Sequence, residues 1–149
     1  MVGYMIIRRT YDRNEINSVL SDPDIKKRIT SDNTPDSEIP ITDEYCYLLG
    51  EAEGEIIGLT ILHPFRDGLE AHYQVLPQYR KRYAMQFAQE TLNIIPPSNI
   101  YGVVPTYHQN IIEFDKKLGL EHVDTLKGGY IKDGKEYDYF IMRLKHGLS

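Results

Sequence analysis

Between Leu69 and Ile95 the hydrophobic period of this chain switches from that of a strand to that of a helix, which restricts what the rest can fold into. From Leu69 to Val75, residues Leu69, Ala71, Tyr73 and Val75 fall on one face, with Glu70, His72 and Gln74 on the other. Pro77 has no N–H to donate and forbids a continued ladder. From about Lys81 the period is helical, with Ala84, Phe87, Ala88, Thr91, Leu92 and Ile95 on one side. The first N–H groups of such a helix lack internal partners and favour an anion. Arg80, Lys81 and Arg82 stand at the turn. Either they meet a phosphate there, or they are solvated charges on an ordinary strand–helix junction.

Composition narrows the classes. The 149 residues suffice for one domain, 1–149, with a substantial core. A hydrophobic fraction of 41% and a charged fraction of 26% are those of a soluble globular chain. No apolar run approaches the roughly 20 residues of a transmembrane helix. The opening MVGYMIIRR is too short for a signal peptide and reads as an early strand. Cys46 is the lone cysteine, so no internal disulfide forms and no zinc-ligand pattern arises. Between Tyr45 and Tyr47 it reads as a buried thiol. A net charge of −5 argues against nucleic-acid binding. The expectation is a cytoplasmic protein with neither a membrane nor a nucleic-acid partner.

The remaining elements follow from their punctuation. Tyr4–Arg9 reads as a strand, and Thr10 or Asp12 can cap a helix from about Arg13 to Leu20. Asp22 followed by Pro23 starts a second helix, to Ile29. Ser31–Thr42 is polar with two prolines and reads as a loop that could cover a site. Strands are expected at Tyr45–Glu51, Glu55–Leu62 and Ile100–Val104, with a turn over Pro64–Gly68. A helix over Gln109–Leu118 points Ile111, Ile112, Phe114 and Leu118 inward and stops at Gly119. Glu121–Tyr130 and Glu136–Leu144 form a closing hairpin across Lys132-Asp133-Gly134. The order is β, α, α, β, β, β, α, β, α, β, β, a mixed α/β sheet.

That order, with particular words inside it, resembles the GNAT superfamily of acyl-CoA-dependent N-acyltransferases. Val75-Leu76-Pro77-Gln78-Tyr79-Arg80 is similar to the family's strand-end V-x-P-x-Y-R, and Lys117-Leu118-Gly119-Leu120 to its K-L-G-F. The likeness runs from Ile6 to Leu144. Within the superfamily, Ala71–Pro77 looks most like a branch encoded by tailed bacteriophages, some of whose members carry head-assembly names. The resemblance implies a mostly antiparallel sheet of six to seven strands flanked by about four helices. It further implies that the strand ending at Val75 splays from Ile100–Val104. The backbone at Val75 and Leu76 would then pair with the pantetheine arm of acetyl-CoA. A cradle for the cofactor would run from Val75 through Arg80, Lys81, Arg82, Tyr83 and Ala84 to Met85.

Two departures stand out. Lys81, Tyr83 and Met85 occupy the three positions where the family's turn has glycine or alanine. A Cβ there obstructs close backbone approach to phosphate, though Arg80, Lys81 and Arg82 could partly compensate. Counting back from Gly119, the family's asparagine falls at His108, with Asn110 as a neighbouring substitute, and its general-acid tyrosine falls at Asp115. An aspartate of ordinary pKa, about 4, accepts rather than donates at neutral pH.

N-acylation needs a group to take the amine proton. Glu70 and His72 share a sheet face and are the candidate catalytic pair, unless they are only polar residues of a solvated face. His63, beside Pro64, reads as a turn residue. The expected function is acetyl transfer from acetyl-CoA to an amine on a small molecule or a protein, in a phage-encoded enzyme. The rival is a GNAT-fold protein without catalysis, acting in phage assembly or on a host protein. Oligomeric state, a homodimer included, stays open.

Overall fold

A computed structural model describes residues 4–32, 34 and 40–148. Its elements run β1 (Met5–Thr10), α1 (Arg13–Leu20), α2 (Pro23–Ile29), β2 (Cys46–Ala52), β3 (Glu55–Phe65), β4 (Gly68–Val75), α3 (Pro77–Ile94), β5 (Ser98–Pro105), α4 (Gln109–Leu118), β6 (Glu121–Lys132) and β7 (Lys135–His146). The Asp12 carboxylate accepts from Asn14 N–H at 2.8 Å and starts α1. Asp22 does the same for α2, with Pro23 in the first turn. Gly119 ends α4 in the left-handed region at φ 105°, where a side chain would be strained. Among the described residues no helix is long and apolar enough to cross a membrane.

The strands form one sheet in the order β1-β2-β3-β4-β5-β7-β6. Every neighbouring pair is antiparallel except β4 and β5. Those two pair only at Leu69 with Ile100 and Glu70 with Tyr101. Beyond these residues they part, leaving β4 from Ala71 to Val75 and β5 from Gly102 to Pro105 without a ladder between them. The sheet is therefore splayed at its centre.

Helices cover both faces. Ile16 and Val19 of α1 and Ile25 of α2 pack on Tyr47, Leu49, Leu59 and Ile61. On the other face Tyr83 and Phe87 of α3 meet Met5, Ala52, Ile57 and Val75, while Leu92 packs on Leu48, Leu62 and Ile100. The Phe87 ring lies on two glycines: a Cβ on Gly50 would stand 2.5 Å from its Cε1, and one on Gly58 would stand 3.2 Å from its Cε2. Ile112 of α4 packs with Val104, Leu120 and Met142.

Most expected boundaries move by one or two residues at most, and two move further. β3 continues through Pro64 to Phe65 instead of turning at Pro64. Its pairing with β2 ends at Cys46 and Leu62, so the missing proline N–H costs no bond on that edge. α3 begins at Pro77, four residues before the expected Lys81. Of the polar stretch Ser31–Thr42, residues 33 and 35–39 lie outside the described residues. Its start is tied to the last hairpin, where the Asp32 carboxylate accepts from Asp133 N–H at 3.0 Å and Gly134 N–H at 2.9 Å.

Candidate functional site

The early start of α3 follows from its composition. With Lys81, Tyr83 and Met85 where glycines would hold the turn open, nothing interrupts helix formation back to Pro77, whose ring already fixes a helical φ. Arg80, Lys81 and Arg82 therefore lie within the helix rather than ahead of it. Pro77 has no N–H, and Tyr79 N–H already donates to the Leu76 carbonyl at 2.9 Å. Little backbone remains at this terminus to wrap a phosphate, and side chains must supply the charge.

They supply it to a cleft of about 400 Å³ between α3 and α4, lined by Arg80, Lys81, Ala84 and Met85 from one helix and Asn110, Glu113, Phe114 and Lys117 from the other. Three cations face one carboxylate. Arg80 is braced, donating to Asp24 at 2.9 Å and to the Val75 carbonyl at 3.1 Å. Lys81 has no ion-pair partner among the described residues. Arg82 turns away to Glu53, at 3.1 Å, and its guanidinium lies over the Tyr83 ring. Tyr83 points into the core and is fully buried. His108 precedes α4 and stacks on Tyr107, with ring centroids 4.1 Å apart. Its Nε2 is buried without a partner, and burial holds its pKa below the usual imidazole range. Of the residues singled out for the cofactor, the cleft gathers Arg80, Lys81, Ala84, Met85 and Asn110, but not Arg82, Tyr83 or His108.

Val75 and Leu76 are buried at the end of β4. Leu76 N–H donates to the Ile57 carbonyl at 2.9 Å, and the Val75 carbonyl is taken by Arg80. The unladdered edge of β4 thus lies upstream, along Ala71–Gln74.

Asp115 changes character in the fold. It sits on the inward face of α4 and is 7% exposed. Its Oδ2 would be 2.7 Å from a Cβ on Gly102, so the carboxyl lies against β5 at the mouth of the splay. Burial pushes its pKa up to about 7. An aspartate of ordinary pKa would be an ionised acceptor at neutral pH; burial brings this one to the point where protonated and ionised forms are comparable near pH 7. The signal was present, because Asp115 falls on the same helical stripe as Ile111, Ile112 and Leu118. Across the splay, the Tyr73 hydroxyl of β4 is buried without a hydrogen-bond partner. Burial, then the nearby Asp115 charge, raises that phenol well above its ordinary range.

The opposite face of the sheet carries Glu70 and His72, side by side as the alternation requires. His72 Nε2 is 3.0 Å from Glu70 Oε2. The extension of β3 adds His63, whose Nε2 lies 3.0 Å from His72 Nε2 and 3.4 Å from Glu70 Oε1. His63 pairs directly with Glu70 across the ladder. It is not a turn residue, and the early end given to β3 hid it. Glu70 is 8% exposed, and both rings are reachable from solvent.

A scan of protein-family models gives no match, and neither does a search of curated proteins. Solved structures do match. Spermidine N-acetyltransferase from Vibrio cholerae, in complex with CoA and spermine, is 14% identical with a TM-score of 0.77 over 95% of each chain. YncA from Salmonella typhimurium, with its cofactor acetyl-CoA, is 14% identical with a TM-score of 0.75 over 98% of this chain and 96% of that one. Ribosomal-protein-alanine N-acetyltransferase from Brucella melitensis is 17% identical with a TM-score of 0.70, over 94% and 99%. The element order, the central splay and these likenesses agree: the chain has the GNAT fold.

Proposed function

We propose that this domain is an acyl-CoA-dependent N-acyltransferase that moves an acetyl group from acetyl-CoA to an amine. The observation that carries it is Asp115, a buried carboxyl placed at the mouth of the splay, whose pKa burial lifts to about 7. The residues present fit most of the donor. The open edge along Ala71–Gln74 offers backbone pairing to an amide-bearing arm. Lys81, Arg80 and Lys117 offer charge-assisted bonds to its phosphates. Backbone wrapping of the pyrophosphate does not fit the unbroken α3, so those side chains carry that contact.

Bound acetyl-CoA would supply the thioester carbon for attack and a thiolate leaving group. The chain must then move two protons. His72, held by Glu70, takes one from the amine, directly or through water, on the sheet face opposite Asp115. Asp115 holds the other for the departing sulfur, in the position that a tyrosine occupies in the resembled family. The acceptor is an amine, on a small molecule or a protein. Placement in the bacteriophage-encoded branch, with a host-cytoplasm location, rests on Ala71–Pro77 alone.

Calorimetric titration with acetyl-CoA, then thiol release over a panel of polyamines, amino acids and amine-terminated peptides, tests the proposal. Absence of binding at millimolar acetyl-CoA would refute it. The unbroken helix from Pro77 favours a second reading, a GNAT-fold assembly or host-interaction factor. It predicts no thiol release with any amine and specific co-purification of a phage or host protein.

A further inference from the structure

We propose that His63, Glu70 and His72 form a binding site for a first-row transition dication of the zinc type. This goes beyond acyl transfer and is tested without it, although it uses Glu70 and His72, and an ion on His72 Nε2 would displace the Glu70 contact of the base proposed above.

The donor set is suitable in kind. Two imidazoles and one carboxylate suit zinc, nickel or cobalt, whereas magnesium and calcium need more oxygen ligands than this cluster offers. It is also suitable in geometry. Donors about 2.1 Å from a common ion lie roughly 3.0 Å apart as octahedral neighbours and roughly 3.4 Å apart in a tetrahedron. His72 Nε2 lies 3.0 Å from both His63 Nε2 and Glu70 Oε2, and His63 Nε2 lies 3.4 Å from the other carboxylate oxygen, Oε1. The two imidazoles thus face both oxygens of one carboxylate, with one ligand atom from each residue within 4.8 Å of the others.

Proton placement strengthens the case. His63 Nδ1 lies 3.1 Å from the Pro64 carbonyl, which can only accept, so Nδ1 carries the hydrogen. In neutral His63 the Nε2 lone pair then faces the cluster, the tautomer a metal requires. It faces a Glu70 oxygen at 3.4 Å that is itself an acceptor. A neutral His72 brings a single Nε2 hydrogen, at 3.0 Å from both His63 Nε2 and Glu70 Oε2, and that hydrogen cannot satisfy both. Lone pairs converge in a pocket where Glu70 is nearly buried, and a cation relieves the repulsion. Adjacent strands fix all three residues: His63 and Glu70 are ladder partners, and His72 follows on the same face. Tyr45 packs on the His63 ring, with centroids 5.6 Å apart, and limits its rotation.

Tag-free protein, stripped with a chelator and containing neither CoA nor amine, is titrated with Zn²⁺ by calorimetry and by competition with a chromophoric chelator. Mg²⁺ serves as the second arm. One Zn²⁺ per chain at micromolar affinity or tighter is expected, with Mg²⁺ silent. His63→Ala and Glu70→Gln should each weaken binding by at least about tenfold, while His122→Ala leaves it unchanged. The near-isosteric Glu70→Gln, checked by an unaltered melting profile, decides the matter if His63→Ala misfolds. Absence of Zn²⁺ binding at a hundredfold excess overturns the proposal, as does binding that survives Glu70→Gln. Because no acetyl donor is present, either result is independent of the acyl-transfer proposal.

Discussion

The carboxyl of Asp115 occupies the space above Gly102 into which any side chain at that position would project, its Oδ2 2.7 Å from the would-be Cβ. A helix residue thus sits directly over a strand that has lost its neighbour at the splay. That placement keeps the carboxyl dry and lifts its pKa to about 7.

Asp115→Asn should keep this packing and remove the proton. We expect kcat to fall about a hundredfold or more, with KM for acetyl-CoA little changed. The wild-type advantage should itself decline as pH rises through about 7, where Asp115 ionises. A pH–rate profile of both proteins checks this. An unchanged kcat in Asp115→Asn would remove Asp115 from the chemistry.

The same residue sets a stability signature. Its folded pKa, about 7, is raised above the unfolded value, so the folded state binds the extra proton between roughly pH 4 and 7. Stability should therefore fall as pH rises through that window, by up to about 4 kcal/mol from this group. Urea denaturation across the window should show Asp115→Asn gaining on the wild type as pH increases.

Glu15 has the opposite sign. Hydrogen bonds from Arg8, then Thr10, hold its pKa down to about 2. Its contribution is present above the unfolded carboxyl pKa and is lost as pH falls toward 2. Carboxyl-carbon NMR titration should find Glu15 still ionised at pH 3, and Arg8→Met should return it to the ordinary carboxylate range.

Lys81 should matter to binding and not to folding. Exposed on α3 and facing the cleft, it has no ion-pair partner among the described residues. Lys81→Ala should weaken CoA about tenfold, the scale of one charge-assisted hydrogen bond. The difference should shrink at high salt, and the melting temperature should not move. Calorimetry at two ionic strengths reads the effect.

Gly50→Ala tests the seat of Phe87. Its methyl would enter the ring, with 2.5 Å to Cε1, so a loss of about 1–3 kcal/mol is expected. Combining it with Phe87→Leu should cost less than the sum of the two single changes, since the smaller side chain vacates the space. Chemical denaturation of the three variants closes the cycle.

Local periodicity carried much of this molecule. Alternation from Leu69 to Val75 placed Glu70 and His72 on one face, and the 109–118 helix with its Gly119 stop was readable residue by residue. Such features depend on neighbours a few positions away, and the chain states them directly. The start of α3 was less legible, because the apolar stripe that marks the helix begins only at Ala84, while the helix itself starts at Pro77, about two turns earlier. His63 was hidden because Pro64 signals a turn wherever its missing N–H would be needed, and only the sheet shows that the β2 pairing stops at Leu62, before the proline.

What tertiary structure alone decided is chemical state. Asp115 has the same side chain in any sequence, and its pKa is raised only because α4 buries it against Gly102 beside a splayed strand. Lone pairs from His63, Glu70 and His72 converge only when β3 and β4 adopt one register out of several. Sequence by itself determined which faces are apolar and, apart from the start of α3 and the end of β3, roughly where elements begin and end. Desolvation, and a hairpin whose pairing runs past Pro64 to Phe65, determined what the polar residues on those faces can do.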